Sequence, residues 1–387
     1  MKGVVVTGVG MLSCLGRGEE SHRKALLAGK TGLGPLTIFE PGAIEPRPVG
    51  EVHKSLFEHP AHWSRTQALA VAAAADALEG FTPGGPGMIA VGTTTGGINE
   101  SEQHYLKHRG KGGGEDSRLL HNHPAGTVAD RLVQHFKLQG ERHTFSTACS
   151  SSANAIGYAA ARVEAGLPWA LAGGADGLCR VTWCGFYSLK LLAAQACQPF
   201  DVHRTGLSLG EAAAFLLLER EDLAKARGAE ILGRVTGWGL SADAHHMTSP
   251  HPEGAGAVRA MQLALEDAGL TPQQIDYVNA HGTATPANDK AEAMALHKAF
   301  GDNVPLTSST KGMTGHTLGA AGAIEAAICL ISIAESFAPP TVGLQEPDPE
   351  AKVPHVAGAP IERKLKRALS NSFGFGGNNT ALVLEGE

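Results

Sequence analysis

Thr144-Phe145-Ser146-Thr147-Ala148-Cys149-Ser150-Ser151-Ser152-Ala153-Asn154-Ala155 runs from a strand-like pair straight into a helix made of Ser, Ala and Asn. That junction decides how the rest of the chain is read. Residues this small let a helix lie deep against other backbone. Cys149 falls at the turn, near the helix N-terminus, where the positive end of the helix dipole favours the thiolate, the reactive form of cysteine. A single Cys before a helix is more often a buried small hydrophobe. A nucleophile needs supporting residues elsewhere in the chain.

Working outward, strand-like and helix-like patterns alternate. Residues 4–7 (Val-Val-Val-Thr) predict a buried strand and 19–28 a helix closed by Gly29. Ser64 is a helix N-cap for an Ala-rich segment to about Leu78. Strands are expected over 88–93, 169–172 and 215–219, and the small-residue helix over 150–164. A similar order then recurs: strand 231–238, helix 255–268 capped by Gly269, strand 275–279, helix 289–299, short strand 306–308, long apolar helix 319–336, and closing strands 368–371 and 380–384. Such alternation predicts an α/β protein with helices covering largely parallel sheets. The charged stretch 221–230, expected to hold a short surface helix, joins the two runs. The polar, Gly-rich segment 107–118 is expected to be a mobile loop.

Composition narrows the class. With 387 residues and 43% hydrophobic content the chain can bury a large core. Its formal net charge of −6 argues against a general nucleic-acid binder, though not against a small basic docking patch. No apolar run is long enough to span a bilayer, and the opening residues go directly into a strand with no secretory pattern. Six Cys at positions 14, 149, 179, 184, 197 and 329 form no C-x-x-C pair, so no zinc knuckle or thioredoxin motif is available. The expectation is a cytoplasmic protein with reduced thiols and neither a membrane nor a nucleic-acid partner.

Support for Cys149 comes from the second half. Asn279-Ala280-His281-Gly282-Thr283-Ala284-Thr285-Pro286 puts a His just after a strand. Lys311-Gly312-Met313-Thr314-Gly315-His316 puts a Lys and a second His on a Gly-rich loop before the helix that carries Glu325. These groups at the C-terminal ends of neighbouring strands can converge on one pocket, although each His alone could be a hydrogen-bonded structural residue. Asn371-Ser372-Phe373-Gly374-Phe375-Gly376-Gly377-Asn378-Asn379 has the glycines to hold backbone N–H groups close to a ligand beside an aromatic ring, or to form a plain hairpin.

Taken in order, STACSSSAN, NAHGTATPAND, KGMTGHTLGAAG and NSFGFGGNN, with the opening Val4-Val5-Val6-Thr7-Gly8-Val9-Gly10 and Ala172-Gly173-Gly174-Ala175-Asp176, resemble the β-ketoacyl-acyl-carrier-protein synthases of the elongating type. The resemblance spans nearly the whole chain. It implies a thiolase-like α/β fold of two pseudo-symmetric halves, about 1–228 and 229–387, in layered α-β-α-β-α architecture. It also implies a dimer, either a homodimer or a heterodimer with a chain-length-factor-like subunit. Acyl and malonyl substrates would ride on the phosphopantetheine of an acidic acyl carrier protein, with no dissociable cofactor and no catalytic metal. By resemblance Cys149 takes the acyl group, and His281 and His316 donate to the enolate left when malonyl loses carbon dioxide. Lys311 adds positive charge and pairs with Glu325. The backbone N–H groups of Cys149 and Phe375 form the oxyanion hole, and the Phe375 ring gates between the half-reactions with Phe373 nearby. Thr283 and Thr285 line the pantetheine arm. A basic surface at the pocket mouth would steer the carrier, with Arg65 and Arg204 as candidates unless they are spent in intramolecular ion pairs.

The chain departs from that pattern at Thr205 and Leu207, where an acidic residue and a Phe are usual. Ala212 stands where Gly is usual, and Asn378 where Thr is usual. These changes bear on carrier docking, loop closure and chain length, and leave room for a specialised pathway. Other readings fare worse. Gly8-Val9-Gly10 lacks the third glycine of a dinucleotide fingerprint, since position 13 is Ser. Ser308-Ser309-Thr310-Lys311 has no partner motifs of a penicillin-recognising enzyme. His121, His123, His245 and His246 lack acidic or Cys partners at metal-ligand spacing. A thiolase would have a second catalytic Cys where Phe375 stands, and an initiating condensing enzyme an Asn in place of His316. A non-catalytic partner subunit would lack the nucleophile.

Overall fold

The computed structural model describes residues 1–109 and 117–387. The loop expected over 107–118 therefore falls largely on residues outside the described ones.

Ten strands form one hydrogen-bonded path among the described residues, with the two-residue strand Gly16–Arg17 added at β1. They are β1 (Val4–Ser13), β2 (Gly87–Gly92), β3 (Gly140–Phe145), β4 (Trp169–Asp176), β5 (Ala212–Arg220), β6 (Gly233–Ala242), β7 (Tyr277–Asn279), β8 (Leu306–Ser308), β9 (Arg367–Gly374) and β10 (Asn378–Glu385). Their spatial order is β3-β2-β4-β5-β1-β6-β10-β9-β7-β8. Split between β1 and β6, the path contains one topology twice. In each half the first strand pairs antiparallel with the fifth, the fifth antiparallel with the fourth, and the fourth, second and third run parallel. The two first strands meet antiparallel over a short stretch, Val5 opposite Arg234 and Val6 opposite Gly233.

The helices that cover these strands are α1 (Arg65–Ala77), α2 (Thr127–Phe136), α3 (Ser151–Glu164), α4 (Arg180–Ser188), α5 (Ala255–Ala268), α6 (Pro286–Phe300) and α7 (Ala321–Ala334). Ser64 caps α1 in a capping box with Gln67, and Gly269 closes α5 at φ 67°. Helices α1 and α2 pack on the outer face of the first half-sheet, and α5 with α6 on the outer face of the second. Helices α3 and α7 touch each other and strands of both halves, so five layers alternate α-β-α-β-α. The central core joins Ile156, Ala160 and Val163 of α3 to Ile324, Ile328 and Ile331 of α7. Small residues make that middle layer possible. A Cβ on Gly157 would lie 2.2 Å from the Trp238 ring, and one on Gly322 2.7 Å from the Ala153 Cβ.

The site follows from this duplication. Each central helix is entered through a 3₁₀ turn, Ala148–Ser150 before α3 and Leu318–Ala320 before α7. Each turn begins on a residue with left-handed backbone, Ala148 at φ 52° and Leu318 at φ 54°. Non-glycine residues hold that conformation only when the surrounding structure enforces it. The enforcing contacts at Ala148 are hydroxyls: Ser151 Oγ accepts from Thr147 N–H at 2.9 Å and donates to the Ala148 carbonyl at 2.6 Å.

Candidate active site

Cys149 sits in the first of these turns, buried, with His316 Nε2 3.0 Å from its Sγ. The reactive nitrogens and sulfur of Cys149, His281 and His316 lie within 4.8 Å of one another. The two imidazole rings meet edge to face at 5.3 Å. Lys311 Nζ lies 3.5 Å from His281 Nδ1 and contacts the Glu325 carboxylate. Three N/S donors this close could also hold a metal ion. The neighbouring lysine ammonium opposes any cation there. Asn279, Ser370, Asn371 and Glu325 also carry buried side-chain oxygens with no hydrogen-bond partner.

The histidines are held by backbone. The N–H groups of His281 and Gly282 both donate to the Glu292 carboxylate at 2.8 Å, and Asn371 Nδ2 donates to the same group at 3.1 Å. Gly282 is required there, because a Cβ would lie 2.5 Å from that of Ser309. His316 donates its N–H to the Ser208 carbonyl at 2.7 Å, and its own carbonyl accepts from Gly210 N–H at 2.9 Å, which ties the second half to the first. Asp176, at the end of β4, accepts from the backbone N–H of Thr94, Thr95 and Gly319 and so clamps the start of α7. Glu292 and Asp176 were not singled out as site residues from sequence. The signal available for Glu292 was a carboxylate on the helix following the His281 motif; for Asp176 it was an acid ending an apolar strand.

Electrostatics correct one expectation. Cys149 is not a depressed thiol: burial pushes it up to about 11, against the downward pull of Lys311 and of the backbone N–H groups of Phe375 and Cys149 itself. Desolvation of the anion outweighs the helix end and the lysine. His281 and His316 are both held well below the ordinary histidine value, first by burial and then by Lys311, so both imidazoles are neutral and each keeps one N–H. Burial also raises Glu325 to about 7, outweighing the opposing pull of Lys311 on the carboxylate.

A cavity of about 380 Å³ opens onto the sulfur. Cys149, His281, His316, Thr283, Thr285 and Phe373 are among its lining residues, and Leu189, Leu191, Leu207 and Phe375 add apolar surface. Thr283 and Thr285 hydrogen-bond each other at 2.9 Å. The docking candidates are elsewhere. Arg65 Nη2 and Nε make a bidentate pair with buried Glu211 at 2.5 and 2.8 Å. Arg204, only 4% exposed, pairs with Asp348 at 2.5 Å and faces Asp289 at 3.5 Å. Both guanidiniums are spent on internal carboxylates, so neither belongs to a free basic face.

A protonated thiol that gives up its proton as a new bond forms, beside two neutral N–H donors, suits thioester exchange. The fold and site together define an acyltransferase of the Cys-His-His type. Comparison with known proteins narrows this. Residues 1–224 match the Beta-ketoacyl synthase, N-terminal domain, and residues 232–345 the Beta-ketoacyl synthase, C-terminal domain. The chain is 39% identical over 425 residues to 3-oxoacyl-[acyl-carrier-protein] synthase 2 of Rhizobium meliloti (strain 1021), covering 99% of each. It is 35% identical to the Synechocystis protein of the same name, covering 99% of this chain and 98% of the relative. Among solved structures, the ishigamide ketosynthase/chain length factor superposes with TM-score 0.94 at 35% identity over 99% of each chain. The ketosynthase ApeO, solved with its chain length factor ApeC from Xenorhabdus doucetiae, gives 0.87 at 33% identity over 100% of this chain and 98% of that one. This chain belongs to the β-ketoacyl synthase family, and its fold is thiolase-like.

Proposed function

We propose that this chain is a 3-oxoacyl-acyl-carrier-protein synthase of fatty acid or polyketide biosynthesis. In the first half-reaction the acyl carbonyl carbon bonds to Cys149 Sγ, the bond to the pantetheine sulfur breaks, and the thiol proton leaves with that sulfur. In the second, the malonyl carboxylate departs as carbon dioxide. Its electron pair spreads onto the thioester oxygen, which accepts from the N–H groups of His281 and His316. The α-carbon then bonds the acyl carbonyl carbon, and Cys149 leaves as thiolate and regains a proton from solvent. The product is two carbons longer with a 3-oxo group. The backbone N–H groups of Cys149 and Phe375 serve the tetrahedral oxyanion, a role supported by their shared downward pull on the thiol. Lys311 and Glu325 set the field at the histidines.

One observation carries the reading: a neutral His316 3.0 Å from the buried thiol, with a neutral His281 edge-on to it. The two substrates would arrive on the phosphopantetheine of an acyl carrier protein through the cavity lined by Thr283 and Thr285, with no dissociable cofactor. Residues 1–228 and 229–387 form the repeated halves. The working unit is a homodimer or a heterodimer with a chain-length-factor-like subunit, in line with the ketosynthase structures that the chain superposes on. Six free cysteines support a reducing compartment, the cytoplasm. Among the described residues no helix is long and apolar enough to cross a membrane.

The test is reconstitution with acyl- and malonyl-loaded carrier protein, scoring carbon dioxide release and 3-oxoacyl product by mass. His281→Ala and His316→Ala should each lower condensation about 10²- to 10³-fold, as loss of an oxyanion donor does, while Cys149 still takes the acyl group. A variant that lost acylation and condensation equally would reject the assigned roles.

A further inference from the structure

Phe375 is gripped on both its ring and its peptide. Its ring stacks on Phe186, with centroids 5.4 Å apart and planes 29° off parallel. Its carbonyl accepts from Asn378 Nδ2 at 3.2 Å, and the next N–H, that of Gly376, donates to the Met247 carbonyl at 2.8 Å. The chain leaves Phe375 through two glycines. Gly376 at φ 82° and Gly377 at φ 77° sit in a region that glycine occupies without strain. Nothing in the chain geometry alone fixes the ring where it stands.

Phe186 is suited to fix it. It lies on α4, outside the lining of the cavity, and is packed against the buried cluster of Leu178, Trp183, Leu207 and Leu318. That cluster takes residues from both halves of the fold, including the residue that opens the turn before α7. One side of Phe186 therefore rests on the core cluster and the other on Phe375. Moving Phe375 would change two things together: the width of the cavity beside Leu207, and the aim of the Phe375 N–H at the sulfur.

We propose that Phe186 is the positioning residue for Phe375. Its ring is the stop against which the Phe375 ring seats, and unstacking of this pair opens the cavity beside Cys149 to the second substrate. The passage of a second substrate rests on the condensing function proposed above; the holding contact does not. Its test therefore uses a reagent and no carrier protein. The full-length chain and its Phe186→Ala, Phe186→Leu and Phe186→Tyr variants, each beside a Cys149→Ala control, are alkylated with iodoacetamide and with bulkier N-phenylmaleimide. Modification of Cys149 is followed by peptide mass.

Loss of an aromatic pair should raise the bulky-to-small rate ratio about 2- to 10-fold in Phe186→Ala, given what such pairs contribute. Phe186→Tyr should keep the wild-type ratio, and Phe186→Leu should fall between. The alkylation pH profile of Phe186→Ala should also shift to higher pH as the Phe375 N–H loses its aim. An unchanged ratio in Phe186→Ala, or a Phe186→Leu ratio equal to that of Phe186→Tyr, overturns the proposal. The first result would mean that the peptide tethers alone hold Phe375, the second that bulk rather than stacking does. If Phe186→Ala does not fold, the Leu and Tyr variants decide the matter. Should condensation fail in reconstitution while the ratio still shifts, the holding contact stands and the function does not.

Discussion

Replacing Arg65 separates an internal ion pair from a carrier-docking residue. Glu211 is fully buried, and its two oxygens are satisfied by the Arg65 fork and by the backbone N–H groups of Val52 and Leu178 at 2.9 and 3.0 Å. The Arg65 side chain is 12% exposed. Arg65→Ala leaves a buried carboxylate with its countercharge gone, a change that costs about 3–5 kcal/mol. Melting entropy scales at about 2.1 cal/mol/K per residue, so in a chain of this size that is a drop in Tm of about 4–6 °C. Arg65→Lys should fall by less, because an ammonium restores the charge but not the bidentate geometry. Arg65→Met with Glu211→Gln should recover part of the loss by removing both charges together. The assay is thermal unfolding, run beside the carrier KM at low and high salt. An unchanged Tm with a KM that rises at low salt would refute the internal assignment and return Arg65 to the docking surface.

Four further outcomes follow from the site and the central layer. Because His281 and His316 are held well below 6.5, the condensation rate should stay level as pH falls from 7.5 to 6; a fall with midpoint near 6.5 would show an ordinary, chargeable histidine. For a depressed histidine the stabilising contribution is complete above the unfolded value of about 6.5 and is lost as pH falls further, so acid melting curves should steepen below that pH and flatten in His316→Asn. Gly157→Val should cost about 1–3 kcal/mol through overpacking, since its side chain displaces the Trp238 ring and the indole bond to Asn154 at 3.2 Å; an unchanged Tm would mean that the middle layer yields more readily than its packing suggests. Glu292→Ala removes the acceptor for two loop N–H groups, and should cut condensation while leaving the Cys149 acylation rate near normal, as read from the two half-reactions measured separately.

Much of the fold was legible because its signals are local. The Gly269 cap, the Ser64 cap and the apolar run of α7 lie within a few residues of what they specify. Helices α2 and α4 went unread. α4 carries β-branched and aromatic residues and Gly185, a composition with little helix preference. Strand β3 was recognised only at its last two residues because it is the polar, half-exposed edge of the sheet, where alternation gives no apolar signal. The positions of Cys149, His281, Lys311 and His316 were readable as motifs, whereas the sign of the thiol shift was not. That sign depends on how completely distant segments bury the sulfur, a sum over the whole fold. The choice between docking residue and internal ion pair at Arg65 and Arg204 is not legible in the sequence for the same reason: their carboxylate partners lie 146 and 144 positions along the chain. Phe186 shows no motif, and its part emerges only when α4 is seen against the loop that follows β9.

Intact-mass analysis of the purified chain incubated with an acyl-carrier thioester, beside Cys149→Ala, tests the central claim most directly. The account predicts a gain of one acyl group on the unmodified chain, located at Cys149 by peptide mass, with release of free carrier thiol and no gain in the variant. A folded protein that takes up no acyl group with any chain length, or takes it up equally without Cys149, would contradict it.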